Sequence, residues 1–410
     1  MKTHLVCMTT LSLTLGLLAG AVAGEKPNPQ DRQVVVKGVN TFAFDLYARL
    51  TGEQQGNLIY SPYSISTALG MCSAGARGET AAQMKKVLHL PDMTEQTAAG
   101  YADLIQELNG RGQPRLFQML TTNALWPQQG FPFHAAYVNL LRDRFAANVR
   151  EMDYKGNLEG SRLEINRFVA EQTKDKIPEL FAPGTLTPDA RLVLTNTIYF
   201  KADWLVPFEK EATYPQEFHL AGGSAVKVPM MHKSMTFAYQ ENNLFQAIEL
   251  PYKDRDVSML VILPRKKDGL AEVEKALPKE LLAQGLTGVE QQRVILSLPK
   301  FKFSSSFTLN STLASMGMPL AFSQNGADFS GMTDHLPLWI GVVVHKAVIE
   351  VDEKGTEAAA ATGISMKTGS AAPREEPKTF TADHPFLFVL RDHRTGCILF
   401  MGRVTNPQKS

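Results

Sequence analysis

The chain has 410 residues, of which 44% are hydrophobic and 20% are charged. This is the composition of a globular protein with enough apolar side chains for a large core. The 42 Lys and Arg residues nearly balance the 41 Asp and Glu residues, which gives a formal net charge of +1. Such a balance provides no general electrostatic field for nucleic acid or for an anionic membrane surface, so we expect neither partner.

The first 23 residues have the features of a secretory signal peptide. Lys2 supplies a short positive region, the stretch 11–18 is mostly apolar, and Ala21-Val22-Ala23 matches the small-x-small cleavage pattern. The apolar stretch is short for a membrane span, which needs about 20 residues. We therefore expect a secreted protein, extracellular or periplasmic, with a mature chain over 24–410. A buried N-terminal helix or a retained membrane anchor is the alternative interpretation.

Two cysteines remain in the mature chain, Cys72 and Cys397, since Cys7 lies within the predicted signal peptide. Two cysteines in a chain of this size do not form a disulfide scaffold. Each lies in an apolar run, which favours two small buried residues. A single disulfide bridge between them is the open alternative.

Helical and strand-like patterns alternate irregularly along the rest of the chain. Apolar residues at helical spacing predict helices over 35–50, 64–88, 135–145 and 163–181. Strand-like runs cover 191–200, 257–263, 294–298, 342–351 and 386–390, and several are apolar on both faces, as in a covered sheet. No linker, repeat or charge block divides the chain. These patterns predict a single α+β domain in which helices pack around several sheets.

The segment from Glu353 to Pro377 reads EKGTEAAAATGISMKTGSAAPREEP and has no core pattern. It connects two strand-like runs, and connections of about 25 residues inside a compact domain are usually functional or disordered. The segment nevertheless has the two-residue period of a strand. Every second residue from Thr356 is uncharged and the side chains grow in size, whereas the opposite set includes Glu357 and Lys367. In a strand these two sets would face opposite sides of a sheet.

Local propensity in this segment opposes its strand pattern, because four consecutive alanines follow Glu357 and favour a helix. Gly355 supplies a flexible pivot, and Pro373 cannot occupy a central strand. The stretch 356–369 would span about 46 Å as a strand at about 3.3 Å per residue. A compact domain of this size is about 55 Å across, so insertion would carry an attached molecule most of the way across it. A disordered alanine-rich surface loop is the alternative.

The run 353–362, EKGTEAAAAT, resembles the hinge of inhibitory serpins. Similar matches follow the family's order along the whole mature chain. They are 57–66 (NLIYSPYSIS), 194–204 (LTNTIYFKADW), 298–301 (LPKF), 327–331 (ADFSG), 345–347 (HKA), 383–386 (DHPF) and 400–407 (FMGRVTNP). Each motif alone is modest evidence, but their order and separations together are specific.

The resemblance implies a metastable serpin fold with three β-sheets (A, B and C), eight or nine helices and an exposed reactive-centre loop over about 353–377. It also implies suicide inhibition of serine proteases, with cysteine proteases as a second candidate class. The target attacks the loop and forms an acyl-enzyme, and the cleaved loop then inserts into sheet A and drags the protease with it. A monomer without catalytic activity, cofactor or metal is implied.

Residue by residue, the resemblance implies three groups of functional side chains. The hinge comprises Glu353, Gly355, Thr356, Glu357, Ala358, Ala359, Ala360, Ala361 and Thr362. The shutter, a polar cluster beneath the opening point of sheet A, comprises Ser61, Ser64, Asn196 and His345. The breach, where insertion starts, comprises Trp204, Lys300 and Glu353. We expect a salt bridge between Lys300 and Glu353 that must break as the loop enters.

The family's spacing from the first hinge glutamate places the scissile bond at Gly369-Ser370. Glycine is an unusual residue there, because most proteases recognise a side chain at that position. Lys367-Thr368 is the alternative and would suit a trypsin-like protease. Cleavage after Arg374 would force Pro373 into the sheet, so we discount it.

Other classes of function fit less well. The chain has no Gly-x-Ser-x-Gly elbow, His-Glu-x-x-His motif, Cys-x-x-Cys motif or phosphate-binding glycine loop, and its nine histidines are scattered. We expect no heparin site, because 93–108 contains no Lys or Arg. The serious alternative is a non-inhibitory serpin that acts as a carrier or chaperone. The small side chains of the hinge favour inhibition instead.

Overall fold

The computed structural model describes residues 28–110, 115–276, 279–286, 288–335, 337–356 and 376–409. The predicted signal peptide and residues 357–375 of the reactive-centre loop lie outside these ranges. So do the hinge residues from Glu357 to Thr362 and both candidate scissile bonds, Gly369-Ser370 and Lys367-Thr368.

Four of the described helices begin at a side-chain cap. Asn28, Ser61, Thr94 and Asn157 each accept a hydrogen bond from a backbone N–H two or three residues onward, which satisfies donors at the helix start. The helices are α1 (Pro29–Glu53), α2 (Pro62–Gly75), α3 (Gly78–Leu88), α4 (Glu95–Leu108), α5 (Ala135–Phe145), α6 (Leu158–Gln172), α7 (Leu270–Ala276), α8 (Lys279–Gln284) and α9 (Asn310–Met316).

Two predicted helices have different boundaries in the structure. The stretch 64–88 forms two helices rather than one, because Arg77 is extended and its backbone N–H donates to Asp328 instead of continuing a helix. The predicted helix 163–181 ends at Gln172, and Lys174 and Asp175 then adopt left-handed backbone conformations. Helix α4 was not predicted, because no periodic pattern was recognised in that part of the sequence.

The strands of the described residues form two hydrogen-bonded sheets. They are β1 (Leu58–Tyr60), β2 (Phe117–Pro127), β3 (Asn148–Val149), β4 (Leu192–Asp203), β5 (Thr213–His219), β6 (Ala225–Glu241), β7 (Phe245–Pro251), β8 (Val257–Pro264), β9 (Gln291–Pro299), β10 (Phe301–Thr308), β11 (Val342–Val351), β12 (Gly355–Thr356), β13 (Lys378–Thr381), β14 (Phe386–Asp392) and β15 (Ile398–Val404). Four of the five predicted strand segments fall within observed strands, and the fifth, 191–200, begins one residue before β4.

The smaller sheet has six strands in the order β10-β11-β12-β4-β2-β3, with an additional pairing between β11 and β4. The other sheet has the order β1-β15-β14-β8-β7-β6-β9-β13, and β5 pairs with β6. Strand β6 is 17 residues long. Its first part pairs with β5 and β9 and its last four residues pair with β7, so it joins two smaller sheets into one. The α+β fold expected from the sequence is confirmed.

Helices cover both faces of the six-stranded sheet. The helix α2 is buried over almost its full length, because its sequence is apolar or small on every side, and it packs against β4 and β15. On the opposite face, Ile165 and Phe168 of α6 pack on Trp126 of β2 and Val193 of β4. The two aromatic rings meet edge to face, with centroids 5.1 Å apart. A strand entering this sheet would therefore have buried surroundings on both sides.

Among the described helices, none combines the length and apolar character needed to cross a membrane. Cys72 and Cys397 are both free and buried, so the open alternative of a disulfide bridge is excluded. Burial raises the pKa of both thiols well above its ordinary value.

Candidate functional site

The six-stranded sheet is closed along most of its length and split at one end. Strands β4 and β11 pair directly in parallel, from Val193 with Val342 to Tyr199 with Val348. Beyond that point the two-residue strand β12 lies between them. Thr356 pairs with Val351 on one side and with Ala202 on the other. The first residues of the predicted hinge are therefore already seated in the sheet.

A tight turn connects β11 to β12. The Asp352 carboxylate accepts hydrogen bonds from the backbone N–H groups of Lys354 and Gly355, at 2.9 and 3.2 Å, as in an Asx turn. The Asp352 N–H donates to the Gly355 carbonyl at 2.9 Å. The turn is held against the start of the next segment because Trp204 and Phe208 donate their backbone N–H groups to Lys354 and Glu353.

Glycine is required at position 355 by its close approach to β4. A Cβ atom placed there would lie 2.0 Å from the Ala202 carbonyl oxygen and 2.7 Å from the Asp203 Cα atom. Both obstacles are backbone atoms of a central strand, so they cannot move aside cheaply. Gly355 is predicted from the sequence to be a flexible pivot, and the structure adds this steric requirement.

Thr356 occupies a buried pocket formed by aromatic side chains. Its side chain is 1% exposed, and its Oγ1 atom lies 2.8 Å from the hydroxyl of Tyr252. The Tyr252 ring stacks on Trp204, with centroids 4.5 Å apart and an interplanar angle of 8°. Trp204 also donates from its indole nitrogen to the Asp352 carbonyl at 3.0 Å. Trp204 and Tyr252 thus form a platform that binds the turn and the seated threonine.

Tyr252 was not identified from the sequence. It lies at the end of a strand and 104 residues from Thr356 in the chain, and no local motif links the two. The isolated bridge between Tyr252 and Trp204 brings them together only in the folded protein. Burial raises the pKa of Tyr252 well above its ordinary value, so its hydroxyl remains protonated and able to donate.

Lys300 and Glu353 form the ion pair expected at this end of the sheet, with Nζ and Oε2 2.8 Å apart. Burial of Glu353 opposes its ionisation, but hydrogen bonds from Lys300 and from its own backbone N–H hold its pKa below the usual range. Strand β12 is seated while the ion pair is intact, so the entry of Gly355 and Thr356 does not require it to break. The breaking of this pair as the rest of the loop enters stays a prediction.

The predicted shutter residues lie together beneath the closed part of the sheet. His345 of β11 and Asn196 of β4 are direct partners in the parallel pairing, and His345 Nδ1 donates to Asn196 Oδ1 at 3.0 Å. Ser61 caps α2 with its hydroxyl and donates its backbone N–H to His345 Nε2 at 3.1 Å. Asn196 Nδ2 donates to the Ser64 carbonyl at 2.7 Å.

Two details of the shutter differ from the sequence analysis. Asn123 of β2 also belongs to it, since its Oδ1 atom accepts the second Nδ2 proton of Asn196 at 2.7 Å. Asn123 was not predicted from the sequence, because the strand β2 that carries it was not predicted either. Ser64 contributes its carbonyl rather than its side chain, and within the described part of the chain its hydroxyl has no hydrogen-bond partner.

His345 is neutral at ordinary pH. It is 0% exposed, and burial lowers its pKa from the ordinary value near 6.5 to about 3, against a smaller opposing effect of Asn196. One ring nitrogen, Nε2, accepts a hydrogen bond and the other, Nδ1, donates one, which matches the neutral imidazole. The bond between His345 and Asn196 joins the two strands that would have to separate for a further strand to enter.

Within the described residues, no cluster of three or more His, Cys, Asp or Glu side chains is arranged to hold a metal ion. This site can support a conformational change. The start of the hinge already lies in the sheet as β12. Beside it, the hydrogen bond between His345 and Asn196 joins β11 to β4. The structure brings together the breach residues and the first hinge residues. It also brings together the shutter residues, six residues further along β4 and β11.

Comparisons with known proteins agree with this geometry. The family model described as "Serpin (serine protease inhibitor)" matches residues 37–407. An uncharacterized serpin-like protein from Thermococcus kodakarensis is 41% identical over 375 residues, covering 91% of this chain and 86% of that protein. The leukocyte elastase inhibitor of Xenopus laevis is 38% identical over 374 residues, covering 89% and 97%.

A solved structure of human thyroxine-binding globulin complexed with thyroxine superposes with a TM-score of 0.81 and 31% identity, covering 91% of this chain and 99% of that one. The similarity in fold thus extends over nearly the whole molecule. Because the family model also spans nearly the whole chain, and these relatives share more than 30% of their residues with it, the protein belongs to the serpin family.

Proposed function

We propose that the protein is a secreted suicide inhibitor of serine proteases, with cysteine proteases as a second class of target. The observation that carries this proposal is the seating of Gly355 and Thr356 between β11 and β4. A strand that has already entered the sheet needs no separate nucleation step. Once its far end is released by cleavage, the loop can continue into the space between the two strands.

The proposed reaction begins as ordinary proteolysis. The nucleophilic serine of the target attacks the carbonyl carbon of the scissile residue, and the peptide bond to the next residue breaks. The new amino terminus leaves with a proton from the protease's own general acid, and an ester joins the loop to the enzyme. Insertion of the loop then carries the ester and the enzyme away before water can hydrolyse it.

The strand registers support insertion of the loop between β4 and β11 along their whole paired length. If the antiparallel register of Thr356 with Ala202 and Val351 continues, residue 365 lies opposite both Val193 and Val342. Those two residues are themselves direct partners in the closed sheet, so the three registers are mutually consistent. Residues 359–365 would therefore replace the present pairing between β4 and β11 residue for residue.

The same register supports a role for Thr362. It would lie opposite Asn196 and His345, on the inward face that Thr356 also uses. Separating the strands would break the bond between His345 Nδ1 and Asn196 Oδ1, and an unsatisfied buried polar group costs about 1–3 kcal/mol. The hydroxyl of Thr362 would arrive at that level and replace the lost partner. The neighbouring inward residues, Ala360 and Ile364, have no polar side-chain atoms.

We propose Gly369-Ser370 as the scissile bond, with Lys367-Thr368 as the alternative. Release from the cell would follow removal of the signal peptide 1–23 and leave one domain over 24–410. The inhibitor would act as a monomer that forms a covalent acyl complex with its target. No heparin-type activator, nucleic acid, membrane or cofactor enters the proposed mechanism.

Incubation with a panel of trypsin-like, elastase-like and subtilisin-like proteases tests the proposal. We expect a complex that survives denaturing electrophoresis and a released C-terminal peptide that begins at Ser370. A peptide beginning at Thr368 would retain the mechanism and move the bond. N-terminal sequencing of the exported protein checks cleavage after residue 23. Loop cleavage by many proteases without any complex and without a rise in thermal stability would refute inhibition.

That negative outcome would favour the second candidate, a carrier or chaperone. The similarity to thyroxine-binding globulin keeps this candidate open, because the shared fold does not distinguish a carrier from an inhibitor. The hinge favours inhibition, because Ala358 to Ala361 are small and Thr356 is already accommodated in a buried position, which supports rapid insertion.

A further inference from the structure

A chain of hydrogen bonds beneath the end of α8 includes a histidine. Glu249 of β7 accepts the backbone N–H of Leu286, just after α8, at 2.7 Å. The other carboxylate oxygen of Glu249 accepts from Ser258 Oγ of β8 at 2.5 Å. His393 Nε2 lies 2.8 Å from Ser258 Oγ, and Arg391 Nη2 donates to His393 Nδ1 at 3.0 Å. Four side chains thus connect the turn after α8 to the end of β14.

The order of these contacts excludes a catalytic role for Ser258. In a serine hydrolase the carboxylate orients the histidine, and the histidine takes the proton from the serine. Here Arg391 occupies the far nitrogen of His393, and Glu249 accepts directly from the serine. Ser258 is also fully buried. The hydrogen bonds therefore hold structure, and they require a neutral His393 with a proton on Nε2 and a lone pair on Nδ1.

The turn after α8 packs directly on the two charged ends of this chain. A Cβ atom added at Gly285 would lie 2.8 Å from Arg391 Nε and 2.8 Å from Glu249 Oε1. The next residue, Leu286, is 2% exposed and belongs to the main hydrophobic core. A displacement of either charged group would therefore move the turn and uncover an apolar side chain.

Charged groups from several elements surround the imidazole of His393. They are Arg391 and Asp392 of β14, Glu249 of β7, Asp256 before β8, and Arg115 and Arg394, which pair with Asp256. Burial lowers the pKa of His393 and the charge of Arg391 lowers it further, whereas the carboxylates of Glu249, Asp392 and Asp256 have a smaller opposite effect. The ring is therefore neutral at pH 7, and it takes up a second proton only below its ordinary value near 6.5.

We propose that His393 is an acid-sensitive switch that controls the turn after α8. A proton from solvent on Nδ1 removes the acceptor of the Arg391 hydrogen bond and places two positive charges against each other. Arg391 is then drawn toward Glu249, whose Oε1 atom lies 3.6 Å from its Nε. This weakens the bond from Glu249 to the Leu286 N–H, so the turn opens more often in acid. The inference does not depend on protease inhibition.

Hydrogen exchange of the Leu286 amide, combined with an NMR titration of the His393 ring, tests the proposal on the wild-type protein. Leu69, in the buried helix α2, reports global opening, so the quantity measured is the ratio of the protection factors of Leu286 and Leu69. We expect this ratio to fall at least about fivefold from pH 7 to pH 4.

The fall should begin near pH 6.5, where the ring of the open form takes up its proton. It should stop at the midpoint of the ring titration in the folded protein, because below that pH the closed form is protonated as well. A ratio that stays constant, or one that levels off at a different pH, would overturn the proposal.

His393→Gln cannot take up the proton, so its ratio should change less than about twofold over the same range. His219→Gln is the matched control, because the His219 side chain is 28% exposed against 30% for His393 and lies beside Asp383 instead of Glu249. This control should keep the wild-type pH dependence. A full acid-dependent fall in His393→Gln, or its loss in His219→Gln, would also contradict the switch. His393→Asn replaces His393→Gln if the latter lowers the thermal midpoint.

Discussion

The imidazole of His345 makes the stability of this protein depend on pH. Its pKa is about 3 in the folded state, because burial disfavours the charged ring, and near 6.5 when the chain unfolds. Between these values the unfolded chain binds a proton that the folded protein does not. Its contribution to stability is therefore complete above pH 6.5 and is lost as the pH falls toward 3.

We expect the free energy of unfolding to fall by up to about 1.4 kcal/mol per pH unit in this window from this residue alone. Urea titrations between pH 7 and pH 4 on the wild type and on His345→Asn provide the measurement. The variant should be less stable at pH 7 but should lose stability less steeply. Parallel curves would show that His345 is not the residue responsible.

Gly355 gives a second prediction at the scale of a residue. Gly355→Ala would place a Cβ atom 2.0 Å from the Ala202 carbonyl oxygen, so β12 must leave its position or β4 must move. We expect a loss of about 1–3 kcal/mol in the free energy of unfolding. Hydrogen exchange of the Thr356 amide should become faster than in the wild type.

Gly52→Ala is the matched control, because an added Cβ atom there meets nothing within 4 Å. This change in a helix should be neutral or stabilising by up to about 1 kcal/mol. An unchanged amide exchange rate in Gly355→Ala would contradict the observed seating of β12.

At the scale of an element, the inserted loop must satisfy the polar groups that it separates. Thr362→Val keeps the shape of the side chain but removes the hydroxyl that the register places opposite Asn196 and His345. We expect slower insertion and hence a stoichiometry of inhibition several times larger. The cleaved form should also lose about 1–3 kcal/mol of stability.

The conservative variant Thr362→Ser retains the hydroxyl and should behave like the wild type. Denaturing gels give the stoichiometry, and thermal unfolding of the cleaved protein gives the stability. If Thr362→Val and Thr362→Ser behave alike in both measurements, the proposed replacement of the lost hydrogen bond is wrong.

The elements that were predicted well are those with local signals. The boundaries of α5 and β11 match the predicted ranges, since each has a clear periodicity and a defined end. The two-residue strand β12 has no such signal. Its formation depends on Val351 and Ala202, which flank it only when the sheet has formed.

At the scale of the whole molecule, cleavage should convert the protein to a more stable form. Complete insertion would add a central strand with about ten further backbone hydrogen bonds, each worth about 0.5–1.5 kcal/mol. We expect the thermal midpoint to rise by about 10 °C or more after limited proteolysis of the loop. Differential scanning calorimetry before and after cleavage provides the measurement. An unchanged midpoint in fully cleaved protein would contradict insertion.

The sequence by itself predicted the α+β fold and the strand pattern of the loop, because these follow from periodicity and spacing, which are local properties of the chain. The resemblance of its motifs to serpins implied the family, the hinge and the polar shutter. Only the tertiary structure decided that β12 is already seated, that Tyr252 binds Thr356 and that Asn123 completes the shutter. Those contacts join residues 73 to 154 positions apart, and such pairs become neighbours only when the strands register and the core excludes water.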